Sequence, residues 1–161
     1  MIRRCEPRDR DEIVAVANDA AKAYRGLLPR RFLATPYMSR DELDAEMSSV
    51  IFYGHEEAGE LLGVMGIEPL EDLTLLRHAY VRTVHQGRGV GGQLLEHVES
   101  LTQTDWLMLG TWAGSRAVTF YLKHGFQFMA SKELLLARYW PRVSQDQAAN
   151  SVVMGKRLRF G

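Results

Sequence analysis

Residues 85–98 read HQGRGVGGQLLEHV, and Gly87, Gly89, Gly91 and Gly92 crowd into six positions where an amphipathic run begins. Glycine loses the most backbone freedom on folding, so a cluster this dense calls for an offsetting gain beyond a tight turn, for which one or two glycines suffice. Amides left bare at a helix start supply one. Their free N–H groups and the positive end of the helix dipole favour an anion such as phosphate or pyrophosphate. The spacing Gly87-x-Gly89-x-x-Gly92 also matches the dinucleotide-binding pattern of oxidoreductases. That site needs the first strand-to-helix turn of a parallel sheet and an acidic residue about 20 positions on. Here the loop follows an antiparallel meander midway along the chain, and residues 107–111 are LMLGT. A Walker loop would continue with Lys and then Ser or Thr, where this chain has Gln93 and Leu94.

Other residues with reactive side chains are scattered. Tyr121 follows Phe120 on a predicted helix, and its hydroxyl is either satisfied in a core or available as a proton donor. His78 lies in the otherwise apolar stretch LTLLRHAYV, which contains no acid; His78 and Glu68 are the nearest candidates for a base, the alternatives being a satisfied core histidine and a water chain. His55, His78, His85, His97 and His124 have no metal-ligand spacing on a shared face, so no metal site is expected. Cys5, the only cysteine, reads as a buried structural thiol. Arg25, Arg30 and Arg31, beside Tyr24 and Tyr37, form either a solvated basic loop or a site for an acidic group.

The elements that must position these residues follow from pattern. With 161 residues, 46% hydrophobic and 25% charged, the chain is expected to form one globular domain over residues 1–161. Twenty basic and twenty acidic residues balance, which argues against a nucleic-acid partner. The start MIRRCEPRDRDE has no apolar signal core, and no run is long enough to span a bilayer, so a soluble cytoplasmic protein without a membrane partner is expected. A strand at residues 2–5 precedes a helix with Ile13, Val16, Ala17, Ala20 and Tyr24 on one face. Residues 24–38 read as a loop, and Ser39-x-x-Glu42 as a capping box opening a second helix. Three strands near 50–55, 61–68 and 73–82 are joined by linkers short enough for antiparallel neighbours. The helix after the glycine loop buries Val90, Leu94, Leu95, Val98 and Leu101, and WLMLGTW (Trp106–Trp112) reads as a strand buried on both sides. A helix carrying Ala117, Phe120, Tyr121 and His124 ends at Gly125 as its cap. A strand at 126–129, a helix in SKELLLARYW and a strand at 151–154 complete a mixed α/β sheet with one parallel step at its centre.

Two motifs in this order carry a family resemblance. Val81-x-Thr83-x-x-Gln86-Gly87-Arg88-Gly89-Val90-Gly91 resembles the (Q/R)-x-x-G-x-(G/A) signature of the GNAT superfamily of acyl-CoA-dependent N-acyltransferases. Ala117-x-x-Phe120-Tyr121-x-x-x-Gly125-Phe126 is similar to that family's second motif. The resemblance implies a mostly antiparallel central sheet whose parallel fourth and fifth strands splay apart, flanked by helices. It also implies acetyl-CoA as cosubstrate and transfer of acetyl to a primary amine of a small molecule or peptide, by direct attack in a ternary complex. The competing reading is a non-catalytic acyl-CoA sensor. On the matching positions it implies pantetheine contacts at the backbone of Val81 and Thr83, and pyrophosphate contacts from Gln86 to Gly92, namely Gln86, Gly87, Arg88, Gly89, Val90, Gly91 and Gly92. Arg88 adds a charge contact or is a solvated arginine. Tyr121 would protonate the departing thiolate, with His78 as the candidate base. Where the family often has a cofactor-contacting asparagine this chain has Gly114, leaving that contact to Ser115 or to the backbone. Trp112 either borders the acceptor pocket or fills core, and Arg138-Tyr139-Trp140 either closes over substrate or forms a homodimer contact.

Overall fold

Alternating and continuous apolar runs build one seven-stranded sheet in the computed structural model, which describes residues 1–159; the last two residues of the expected 1–161 domain lie outside the described residues. The chain runs through β1 (Ile2–Arg4), α1 (Arg10–Ala20), α2 (Arg40–Glu46), β2 (Ile51–Glu57), β3 (Glu60–Pro69) and β4 (Thr74–Val81). It continues with α3 (Val90–Leu101), β5 (Trp106–Trp112), α4 (Arg116–Lys123), β6 (Gln127–Phe128), α5 (Lys132–Tyr139), α6 (Gln145–Ala149) and β7 (Ser151–Arg157). Strand order is β1-β2-β3-β4-β5-β7-β6. Every pairing is antiparallel except β4 with β5, as expected. No helix among the described residues is long and apolar enough to cross a membrane.

Helices cover both faces of the sheet because each face is apolar. The stripe Val90, Leu94, Leu95 and Val98 of α3 packs with Leu107, Leu109, Tyr121 and Phe126. On the other face Ile13 and Val16 of α1 and Leu43 of α2 meet Phe52, Leu61 and Val64. Three local expectations change. Leu101 is exposed because α3 ends there. Trp106 is exposed as well, so β5 is closed in only over Leu107, Met108 and Leu109. Only half of the expected capping box forms, with Ser39 Oγ accepting the Glu42 amide at 3.1 Å; a reciprocal box instead starts α6, between Ser144 and Gln147.

Two irregularities shape the centre. The β3–β4 ladder pairs Val64 with Tyr80 and Gly66 with Arg77, so His78 and Ala79 together oppose Met65. This bulge puts His78 in the left-handed region at φ 56°. The β4–β5 ladder pairs only Thr74 with Leu107 and Leu75 with Met108. Beyond those pairs the parallel strands diverge. A Cβ on Gly66 would lie 2.8 Å from the Arg77 carbonyl oxygen and 2.6 Å from Val50 Cγ1. Backbone cannot yield cheaply, so Gly66→Ala is expected to destabilise the fold by about 1–3 kcal/mol, read as a lower denaturation midpoint.

Charge fastens the first strand to its neighbours. Arg3 contacts both oxygens of Asp9 at 2.9 Å and also Glu56. The Arg3 guanidinium, helped by the Glu6 amide, lowers the Asp9 pKa to about 2. A carboxyl with a depressed folded pKa adds stability above its unfolded pKa of about 4, and that stability is lost as pH falls through the folded value. Asp9→Asn should therefore lower the melting temperature at neutral pH and flatten its decline between about pH 4 and 2. An undiminished decline would remove Asp9 from the acid response.

Candidate active site

The glycine loop divides its four glycines between two jobs. Gly87 and Gly89 have φ of 76° and 86°, and a Cβ on either would meet nothing within 4 Å; backbone conformation is what requires glycine there. Gly91 and Gly92 lie in the first turn of α3, where a Cβ would approach Phe120 Cζ at 3.4 Å and His124 Nε2 at 3.3 Å. They let α3 and α4 come close. The expectation that ligand approach accounts for the whole cluster is therefore too simple. The helix start itself is bare: Gly89 caps α3 without any side-chain hydrogen bond, and Gln93 N–H makes a bond back to Gly89 O at 3.0 Å. The amides of the first turn point from an uncapped helix start.

That helix start opens onto a cleft of about 580 Å³ reaching from Gln86 and Gly89 to Ala79 and Tyr80 on β4. Arg116 and Lys123 of α4, and His124 just after it, line it too, the first two giving positive groups on the same cleft as the uncapped amides. A second cavity of about 260 Å³ is bordered by His78, Tyr37, Trp112 and Trp140. The two share Tyr24, Ala79, Tyr80, Ala117 and Tyr121 as walls. They meet where β4 and β5 have separated. Tyr121 is only 4% exposed, and burial raises its pKa, keeping the hydroxyl protonated as a donor.

The bulge turns His78 toward an acid from another element. Its Nε2 lies 3.0 Å from Glu46 Oε2 at the end of α2, and its Nδ1 lies 3.2 Å from the Tyr80 hydroxyl. The imidazole stacks on Phe52 with ring centroids 5.9 Å apart. The hydrogen bond from His78, assisted by Arg77, lowers the Glu46 pKa, so the carboxylate is ionised and can only accept. In the neutral imidazole Nε2 then carries the proton, and Nδ1 accepts from Tyr80.

Residues 48–128 match the family described as acetyltransferase (GNAT) domain. The chain belongs to the GNAT acetyltransferase family. Members of this family are acetyl-CoA-dependent N-acetyltransferases, and the chain is an enzyme of that kind. No curated protein matches the chain by sequence. Among solved structures, the PaiA N-acetyltransferase of Thermoplasma acidophilum, in complex with coenzyme A, is similar with TM-score 0.77 and 17% identity over 98% of both chains. The ribosomal-protein-S18-alanine N-acetyltransferase of Escherichia coli gives TM-score 0.72 and 16% identity, covering all of this chain (100%) and 95% of that one. A GNAT acetyltransferase of Elizabethkingia anophelis with acetyl-CoA bound gives TM-score 0.58 and 21% identity over 81% and 90%.

Within this GNAT fold the expected site residues separate. Val81, Gln86, Gly87, Gly89, Val90, Gly91 and Gly92 line the large cleft. Arg88 is exposed and outside that lining. Thr83 is outside it as well, with its N–H and hydroxyl both directed to Asp19 Oδ2, at 2.7 and 3.2 Å. Ser115 is buried at the start of α4, its Oγ without a partner among the described residues, and it does not reach either cavity lining. Glu68 binds Arg77 at 3.2 Å rather than reaching the cavity. Sequence reasoning missed Glu46, Tyr80, Arg116 and Lys123. A basic residue at the first position of α4 was a readable signal for Arg116, whereas nothing local marks Glu46.

Proposed function

We propose that residues 1–161 form a single N-acetyltransferase domain that moves acetyl from acetyl-CoA to a primary amine by direct attack in a ternary complex. One observation carries this reading: Tyr121 forms part of the wall of both cavities, as the proton donor must if thioester and amine meet there. The cleft fits coenzyme A by its donor set: the uncapped α3 amides with Arg116 and Lys123 would hold the phosphates, and the β4 backbone left unpaired beyond Leu75 would hydrogen-bond the pantetheine arm. When bound, acetyl-CoA supplies an activated acyl group.

The chain's own residues do the rest. The Tyr80–His78–Glu46 chain removes the amine proton: Tyr80 oxygen accepts it, the Tyr80 hydroxyl proton passes to His78 Nδ1, and Glu46 stabilises the imidazolium. Tyr121 donates its hydroxyl proton to sulfur as the carbon–sulfur bond breaks and is reprotonated through water. His78 returns its proton to solvent. An ammonium acceptor sheds two nitrogen protons, the first by this route before attack and the second to water from the adduct as the carbon–sulfur bond breaks; with one proton taken up at sulfur, the products are an amide, a free thiol and one proton released to solvent. The test is calorimetric binding of acetyl-CoA together with thiol release across a panel of amines. Acceptor-dependent release supports the enzyme; tight binding without release from any amine would leave an acyl-CoA-binding module.

A further inference from the structure

The second cavity carries information about the acceptor, an inference that rests on the acetyltransferase reading. Its walls are aromatic: Tyr24, Tyr37, Tyr80, Trp112 and Trp140 face it, with Tyr121 at the junction. Phe32 stacks behind Trp112 at 4.8 Å between centroids, and the Trp112 indole N–H donates to the Tyr37 hydroxyl at 3.4 Å. Loop 24–38 is therefore packed against this wall rather than free of it. Arg31 makes a two-point contact with Asp146 of α6, at 2.5 and 2.9 Å, fastening the loop across to the far side.

Charge is almost absent from the lining. Among the described residues no Asp or Glu borders the cavity, and Arg77 is its only permanently charged group. Arg77 is already held by Glu46 at 3.3 Å and by Glu68 at 3.2 Å, so two carboxylates of the protein take up its charge. Arg31 is held by Asp146, and Arg25 and Arg30 are exposed and outside the lining. A second ammonium on the acceptor finds no carboxylate among the described lining residues, and a carboxylate finds no free cation among them. Leaving either charge unpaired in such a site is costly. Aromatic faces do accommodate a single approaching ammonium before it loses its proton, and they bury a ring well.

We propose that the acceptor is a primary monoamine carried on an aromatic, otherwise uncharged body. The basic loop then has a structural role at the cavity rim, not one in recognising an acidic group.

Three amines isolate the charge rules: 2-phenylethylamine, L-phenylalanine, which adds a carboxylate, and spermidine, which replaces the ring with further ammonium groups. With saturating acetyl-CoA, kcat/KM for 2-phenylethylamine is expected to exceed that for both others by about tenfold or more. Trp112→Ala should raise KM for 2-phenylethylamine more than it lowers kcat, and Trp112→Phe should restore it; the Phe variant keeps the test open if the Ala variant does not fold. Equal or better use of spermidine or L-phenylalanine would overturn this acceptor class while leaving the acetyltransferase reading intact. Thiol release with none of the three while another amine supports it would overturn the acceptor class alone, and no release with any amine despite measurable acetyl-CoA binding would overturn both.

Discussion

Tyr121→Phe is expected to lower kcat by about 100-fold or more while acetyl-CoA affinity stays within about twofold. The substitution removes one oxygen and keeps the ring that packs against Phe120 and Phe126 at 5.1 and 5.2 Å between centroids. The core contact therefore survives, and only the donor is lost. Burial makes this a sharp test, because a hydroxyl whose pKa is raised above that of a free tyrosine stays protonated at neutral pH. Single-turnover measurement with bound acetyl-CoA separates the chemical step from product release. If kcat is unchanged, sulfur is protonated by water and Tyr121 is only a wall residue.

The second large effect concerns His78. Asparagine is among the few residues that accept a left-handed backbone readily, so His78→Asn preserves the bulge at φ 56° while removing the imidazole. A loss of about 100-fold in kcat/KM at neutral pH is expected. It should shrink as pH approaches the amine's own pKa of about 10.4, where the acceptor deprotonates unaided. A merely structural defect would persist at high pH. Glu46→Gln, which keeps an acceptor beside Nε2 but removes the charge that supports the imidazolium, should cost on the order of tenfold with acetyl-CoA affinity unchanged.

These two variants mark the boundary of what the sequence makes legible. The glycine loop and Phe120-Tyr121 are read directly because their meaning is local: a turn, a helix start, a helix face. Strand and helix order follows from periodicity for the same reason. Glu46 lies at the end of α2, 32 positions from His78, and the two meet only once α2 has packed on the sheet and the β3–β4 bulge has turned His78. The bulge that aims His78 is itself a property of two strands, invisible in LTLLRHAYV alone. Thr83 gives its amide and hydroxyl to Asp19, 64 positions away, while Arg88 and Ser115 lie outside both cavity linings. Adjacency along the chain does not determine which neighbour takes a hydrogen bond. Trp140 becomes meaningful only once α5 has folded back onto the sheet, where it borders the second cavity and stands near Gly110, whose Cβ would lie 3.7 Å from the indole.

The early end of the β4–β5 ladder, after Leu75 and Met108, also bears on how long the protein lasts. A sheet interrupted at its centre leaves strand backbone that a donor lying along the open edge would pair, and any ligand held only by the folded state links occupancy to resistance to unfolding. At acetyl-CoA concentrations about 100 times the dissociation constant, the folded state gains about 2.7 kcal/mol over the free protein. A cell depleted of acetyl-CoA would then hold a protein more exposed to unfolding and proteolysis, and the supply of substrate would set the lifetime of the catalyst as well as its rate.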